Sequence, residues 1–260
     1  MSSQTTVDDV KSLFQTDPTA DADAMGLMIN SLDGTNLAGC LGAELDDLET
    51  DDVTIVKVLL DASYSMNDHE QTVREAYDKF INSFKGSKQA GSILVSTITF
   101  ATQAKILHGF KKSDEIDPIG KDYIAKGGST ALYDALIDAL TGAQAYAMDL
   151  KTNGVRVKVI IVVFSDGDDN DSRKASASNI KTIVDAAIKK EGFYPVYVGF
   201  KQSPNDDLEA IAKRCGFPNV EITNATESDI RRTVDLVSKS VIRTSQTTVG
   251  AGGGNNTFFS

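Results

Sequence analysis

The apolar run VTIVKVLL at residues 53–60 is the feature that most constrains the fold of this chain. A second run, RVKVIIVVF at 156–164, has the same Val- and Ile-rich character. Near-continuous β-branched runs are typical of strands that are covered on both faces, as in parallel sheets. Because parallel strands are joined by long crossover connections, we expect helices between them. The two runs therefore predict an α/β protein.

Strand and helix patterns alternate after residue 53, which favours a doubly wound (Rossmann-like) sheet with helices on both faces. The other predicted strands are 92–100, 104–108, 194–199 and 219–222. The predicted helices are 68–84, 131–150 (with Thr130 as N-cap), 173–191 (with Gly192 as C-cap), 205–214 and 226–242. Only Ala101-Thr102-Gln103 separates 92–100 from 104–108, which is too short for a crossover. We therefore predict a mostly parallel six-stranded sheet with one antiparallel edge strand.

Three regions follow from the composition. Residues 1–52 form an acidic extension, predicted to be partly ordered, with short amphipathic stretches at 7–14 and 24–32. Residues 53–242 form the α/β domain, and residues 243–260 form a Gly-rich tail predicted to be flexible. The tail contains Phe258 and Phe259, which are open to two interpretations. In the first, they belong to a peptide that docks on another subunit or copy. In the second, they belong to a chain end that is disordered or docked on its own domain.

The charge and the cysteine content exclude several classes of protein. The net charge is −11, and nucleic-acid binding depends instead on clustered Lys and Arg. No apolar run approaches the roughly 20 residues that span a bilayer, and the first residues lack the pattern of a signal peptide. Cys40 and Cys215 have no metal-binding spacing. The sequence therefore predicts a cytoplasmic protein that does not bind nucleic acid or membranes.

Oxygen-bearing side chains follow the two central strands and one further loop. Asp61, Ser63 and Ser65 come directly after the strand 53–60. Thr130 ends a Gly-Gly-Ser-Thr loop before a helix, and Asp166 follows the strand 156–164. Ligands of open α/β sheets bind at the carboxyl ends of the strands, so we expect these groups to meet there. Hydroxyl and carboxylate oxygens suit a hard cation such as Mg²⁺.

This pattern resembles the metal-ion-dependent adhesion site of von Willebrand factor A domains, in an intracellular prokaryotic type of chain. The resemblance covers residues 53–242, and all five site positions are present. It implies that Ser63, Ser65 and Thr130 bind a divalent cation, usually Mg²⁺, with Mn²⁺ or Ca²⁺ as alternatives. It also implies that Asp61 and Asp166 act directly or through bound waters.

A cation held mostly by neutral hydroxyls keeps a strong attraction for one more anionic ligand. We therefore expect an open position that binds an acidic residue of a partner protein. Further partner contacts are predicted for Tyr64, His69, Asp168, Phe258 and Phe259. Intracellular relatives of this kind work beside MoxR-type AAA+ ATPases or in stress-response assemblies, which the resemblance implies as partners here.

Two other functions remain open at this stage. In the first, the chain is a Mg²⁺-dependent phosphatase or phosphotransferase with Asp61 as nucleophile. In the second, it is a structural subunit whose metal only joins loops. Against the enzyme, Ser63 stands where Asp-x-Asp hydrolases carry their second carboxylate. The segment 166–171 resembles the start of an EF-hand loop, but Asp171 replaces its glycine and Ala177 its final glutamate. No phosphate-binding loop or nucleophile elbow is present, so we expect a binding protein rather than an enzyme.

Overall fold

The computed structural model describes residues 6–17, 20–33, 37–247 and 258–259. Within them, six strands form one sheet in the order β3-β2-β1-β4-β5-β6. The strands are β1 Asp52–Asp61, β2 Ile93–Phe100, β3 Ala104–Lys112, β4 Arg156–Ser165, β5 Phe193–Lys201 and β6 Asn219–Asn224. No helix in these described ranges combines the length and the apolar character needed to cross a bilayer.

The strand β1 lies at the centre of the sheet, between β2 and β4, and is parallel to both. Strands β5 and β6 continue the parallel arrangement, whereas β3 pairs antiparallel with β2 at the edge. The predicted mostly parallel sheet with one antiparallel edge strand is therefore confirmed. The strand order reverses between β1 and β4, which is where a doubly wound sheet opens a crevice for ligands.

Helices cover both faces of the sheet and bury two apolar cores. The helices are α1 Val7–Gln15, α2 Ala22–Ser31, α3 Glu70–Lys85, α4 Leu132–Thr152, α5 Ala177–Ile188, α6 Leu208–Arg214 and α7 Glu227–Gln246. One core contains side chains from α1, α2, α4, α5 and α6, and the other contains side chains from α3 and α7. Because the central strands contribute to both cores, their sequences are apolar at nearly every position.

Two predicted helix caps were wrong. The N-cap of α4 is Ala131 rather than Thr130, and it makes no side-chain capping bond. Helix α5 begins later than predicted, because Ser176 and Asn179 form a reciprocal capping box that fixes its start. It ends at Ile188, so Gly192 lies in the following turn at a φ of 83° rather than at the cap.

The described part of the N-terminal extension packs against the α/β domain. The backbone N–H of Phe110 in β3 donates to Leu41 O (2.9 Å), and Ala43 N donates to Phe110 O (2.8 Å). This pairing covers part of an edge strand that would otherwise expose free backbone groups. On the sheet face below, Lys57 Nζ donates to Gly39 O (3.2 Å). The predicted boundaries at 52 and 242 stay predictions, although α7 continues past the second boundary to Gln246.

Candidate metal centre

Four of the five predicted oxygen donors, those of Asp61, Ser63, Ser65 and Asp166, lie together at the carboxyl ends of β1 and β4. Asp61 is the last residue of β1, and Asp166 directly follows Ser165, the last residue of β4. An isolated bridge pairs Ser63 with Gly127, which brings the loop that precedes α4 beside the loop that follows β1. Three separate loops therefore meet in the crevice where the strand order reverses.

Asp61 is buried, and both of its carboxylate oxygens already accept hydrogen bonds. Its Oδ1 accepts from the Ser63 backbone N–H (2.9 Å), and its Oδ2 accepts from Ser165 Oγ (2.5 Å). Burial raises the pKa of Asp61 to about 6, although the bonds from Ser165 and Ser63 oppose this rise and the charge of Asp166 adds to it. A cation nearby would favour the ionised form of such a carboxylate.

Ser63, Ser65 and Asp166 form a chain of neighbouring oxygens. Ser63 Oγ lies 3.0 Å from Ser65 Oγ, and Ser65 Oγ donates to Asp166 Oδ1 at 2.9 Å. Adjacent ligands of an octahedral Mg²⁺ ion, each about 2.1 Å from the metal, are separated by about 3 Å. The oxygen spacing and the hard-donor chemistry of these residues therefore fit a small divalent cation.

Thr130 is held in place by the loop that follows Asp166. Its backbone N–H donates to Asn170 Oδ1 (2.7 Å), and its carbonyl accepts from Asn170 N (2.9 Å) and Asp171 N (3.2 Å). A glycine is required at position 127, because a Cβ there would lie 2.0 Å from Ala101 Cβ. The predicted threonine and aspartate are thus parts of two loops that fix each other.

Gln202, in the turn after β5, is a residue that the sequence analysis missed. Its Nε2 donates to Asp166 Oδ2 (2.8 Å) and to Ser65 O (3.3 Å), so it joins two of the three loops. Its Oε1 lies 3.4 Å from His69 Nε2. Gln202 belongs to no motif, and only its place just after a strand end could have drawn attention to it.

The residues predicted to contact partners lie in different surroundings. Tyr64 is 69% exposed beside the centre, and His69 contacts Gln202. Asp168 is paired within the domain, because Arg214 donates to its Oδ2 at 2.5 Å. Phe258 and Phe259 are at the opposite end of the sheet from the metal centre. Phe258 is completely buried there, as in the interpretation that docks the tail on its own domain, and its predicted partner contact stays a prediction.

The acidic segment 166–171 makes hydrogen bonds within the domain. Among the described residues, no group of three or more His, Cys, Asp or Glu side chains could hold a metal ion. Asp169 instead accepts hydrogen bonds from Ser172 Oγ and from the Tyr133 backbone N–H. The segment therefore connects the end of β4 to the start of α4 through hydrogen bonds.

A comparison with known protein families shows which family this chain belongs to. Residues 56–238 match the von Willebrand factor type A domain, which is well over half of the chain. The chain belongs to the von Willebrand factor type A family. A comparison with curated proteins returns no match.

Several solved structures share the fold at low sequence identity. The PilB minor pilin of Streptococcus sanguinis is 14% identical, with a TM-score of 0.55 over 79% of this chain and 64% of the pilin. The pilus adhesin SpaC of Lactobacillus rhamnosus GG is also 14% identical (TM-score 0.53), over 75% of this chain and 30% of SpaC.

Proximal thread matrix protein 1 from the mussel byssus is 19% identical (TM-score 0.52), over 73% of this chain and 46% of that protein. Another structure of the mussel protein, with a TM-score of 0.49, has a zinc-occupied metal-ion-dependent adhesion site, which is a property of that protein. This chain spans less than two thirds of each of these three proteins.

Proposed function

We propose that this chain is a metal-dependent protein-binding module. In this proposal Asp61, Ser63, Ser65, Thr130 and Asp166 form an intact metal-ion-dependent adhesion site that holds Mg²⁺ and captures an acidic side chain of a partner. The observation that carries the proposal is the chain of oxygens from Ser63 through Ser65 to Asp166, spaced 3.0 and 2.9 Å apart. Family membership supports the same role.

The residues of the centre explain why an acidic partner is the expected ligand. When bound, the cation supplies a positive centre with a position open to one more oxygen. Ser63, Ser65 and Thr130 would contribute neutral hydroxyls, so they would not neutralise that charge. Asp61 would be oriented by Ser63 and Ser165, which occupy one carboxylate oxygen each. A chain with a net charge of −11 would otherwise repel an acidic side chain.

Mg²⁺ is the proposed ion, with Mn²⁺ and Ca²⁺ as alternatives. Ca²⁺ takes six to eight ligands and is often bound by both oxygens of one carboxylate. Here each oxygen of Asp166 accepts a hydrogen bond, from Ser65 or from Gln202, which disfavours such bidentate binding. Titration calorimetry with the three ions tests this choice, and a clear preference for Ca²⁺ would contradict it.

We also propose that the chain is not an enzyme. A nucleophilic aspartate must reach its substrate, whereas Asp61 is only 1% exposed and both of its oxygens accept hydrogen bonds from the protein. A phosphatase assay with an aryl phosphate provides the test. Mg²⁺-dependent turnover that disappears in Asp61→Asn would establish the hydrolase instead.

The proposed partner is a protein of an intracellular assembly, such as a MoxR-type AAA+ ATPase in the cytoplasm. This part of the proposal comes from the family resemblance alone. Affinity capture from the native cell, with and without a chelator, tests it. A partner that is retained with Mg²⁺ and released by the chelator is the expected result.

Two serine pairs provide the matched comparison in that experiment. Ser63→Ala/Ser65→Ala removes two proposed ligands and should lose the partner. Ser83→Ala/Ser87→Ala removes hydroxyls that bond only nearby backbone groups, and it should retain the partner. If the chelator lowers the melting temperature but does not release the partner, the metal only joins loops and the structural-subunit alternative is correct.

A further inference from the structure

The two most exposed large apolar side chains of the described residues lie on loops beside the metal centre. Tyr64 is 69% exposed and directly follows Ser63, and Ile124 is 46% exposed in the loop that leads to Gly127. This loop reaches the centre because Gly127 pairs with Ser63. Scattered exposed apolar residues are normal on a protein surface, so the shared position of these two beside one polar site is the informative observation.

Residues 123–127 form an extended strip that we call the rim strip. Its backbone is extended at Tyr123, with a φ of −100° and a ψ of 115°. Tyr123 and Ala125 are completely buried. Ile124 and Lys126, which alternate with them, are exposed. Alternation with a period of two is typical of an extended chain with one face on the protein and the other in solvent.

Helix α3 holds the rim strip in place on both sides of its exposed apolar residue. Arg74 donates to Tyr123 O from Nε (2.9 Å) and from Nη2 (2.7 Å), and Tyr123 Oη donates to Asp61 O (2.6 Å). The Ala125 N–H donates to Glu70 Oε2 (2.9 Å), and Glu70 Oε1 pairs with Arg74 Nη2 at 2.6 Å. The exposed side chain between Tyr123 and Ala125 is therefore presented on a fixed backbone, which lowers the entropic cost of a contact with a partner.

The exposed cation of the rim strip is available to a partner. No carboxylate of the described residues forms an ion pair with Lys126. Arginines at the same end of the sheet are paired within the domain, namely Arg74 with Glu70, Arg173 with Asp171 and Arg214 with Asp168. Lys126 can therefore pair with an acid from another molecule without breaking an ion pair of this chain.

We propose that the metal centre and the rim strip together bind one extended acidic segment of a partner protein, with an apolar side chain that packs on Ile124. This inference rests on the proposed function and adds the residues that flank the metal-binding acid. A second acid of the segment pairs with Lys126, and Tyr64 packs beside the first. Three residues separate Ile124 from Gly127, which pairs with Ser63, so an extended chain spans about 10 Å between them. The apolar residue of the partner then lies about two to four positions from its metal-binding acid.

Selection of random peptides displayed on phage tests this assignment with the wild-type chain. The chain is immobilised in Mg²⁺, and bound phage are released with a chelator. The released peptides should share an acid, an apolar residue about two to four positions away and a second acid. Released peptides that share only one acid would overturn this inference and leave the proposed function in place. If the chelator releases no peptide, both proposals are wrong.

Two substitutions in the rim strip measure its contribution with a synthetic copy of the most enriched peptide. Ile124→Ser should weaken binding of this peptide about five- to tenfold, because it removes an apolar contact. Lys126→Gln should weaken it about threefold at low salt, and the difference should vanish at high salt. Calorimetry should give both variants the Mg²⁺ affinity of the wild-type chain, since neither residue is a proposed metal ligand.

Matched controls are available elsewhere on the surface. Leu236 is exposed in the middle of α7, and Lys88 is exposed before the start of β2, at the other end of the sheet. Leu236→Ser and Lys88→Gln should bind the peptide like the wild-type chain. Equal peptide affinities of Ile124→Ser and Leu236→Ser, with both folded by circular dichroism, would contradict the rim strip as a contact surface.

Discussion

Removal of the Ser165 hydroxyl provides a quantitative test of how the metal centre is built. Ser165 is completely buried, and its Oγ donates to Asp61 Oδ2 at 2.5 Å. The variant Ser165→Ala leaves that carboxylate oxygen without its donor in a site that water does not reach. The unmet desolvation should cost about 2 kcal/mol of unfolding free energy in metal-free protein.

The same change should weaken cation binding, because Ser165 orients Asp61. Loss of such an orienting partner typically reduces metal affinity by about tenfold or more. At a Mg²⁺ concentration 100 times the wild-type Kd, the wild-type chain gains about 2.7 kcal/mol of stability. With a tenfold weaker Kd, the variant gains only about 1.4 kcal/mol at the same concentration. Urea unfolding with and without Mg²⁺ measures both numbers.

Ser238→Ala is the control for this experiment. Ser238 is also buried, but its Oγ donates to Val234 O (2.8 Å), so this hydrogen bond lies entirely within α7. Its removal should cost only a few tenths of a kcal/mol and leave the response to Mg²⁺ unchanged. If the two alanine variants lose equal stability and gain equally from Mg²⁺, the orienting role of Ser165 is wrong.

Three further predictions concern the loop before α4, the segment that holds this loop in place, and Lys57 on the sheet face. Gly127→Ala should lose about 1–3 kcal/mol in urea unfolding, because its Cβ would overlap a neighbouring side chain. Gly128→Ala, whose Cβ would meet nothing closer than 3.9 Å, should remain near wild type, and equal losses would contradict the packing. Asn170→Ala should weaken Mg²⁺ binding in calorimetry about fivefold by releasing Thr130, whereas Asn170→Asp keeps the acceptor and should not. Burial lowers the pKa of Lys57 from 10.5 to about 8, so the unfolded chain binds more protons between these pH values. The unfolding free energy should therefore rise with pH across this window relative to Lys57→Met, by at most about 3 kcal/mol, and a flat difference would contradict it.

Much of the fold could be predicted because the central strands have a strong and simple pattern. The Val- and Ile-rich strands β1 and β4 are covered on both faces, so nearly every position is apolar. The donors Asp61 and Asp166 could be found because they directly follow those strands. Lys57 was a missed signal, since a lysine in the middle of a central strand requires a cover. That cover is the N-terminal extension, whose Gly39 carbonyl accepts from Lys57.

Other features depend on contacts between residues far apart in sequence. Gln202 reaches Asp166 across the top of the sheet, and no local pattern connects the two. The cap of α4 was wrong because Asn170 and Asp171 bind the Thr130 backbone and leave Ala131 at the helix start. The buried position of Phe258 depends on a recess made by β6 and α7, which composition alone cannot reveal.

Titration calorimetry of Mg²⁺ into the wild-type chain and into Ser63→Ala/Ser65→Ala tests the central claim most directly. The oxygen spacing at the end of β1 predicts one Mg²⁺ ion per wild-type chain and no measurable binding by the variant. Equal binding by both chains, or no binding by the wild-type chain at millimolar Mg²⁺, would contradict the metal centre and the proposed function that rests on it.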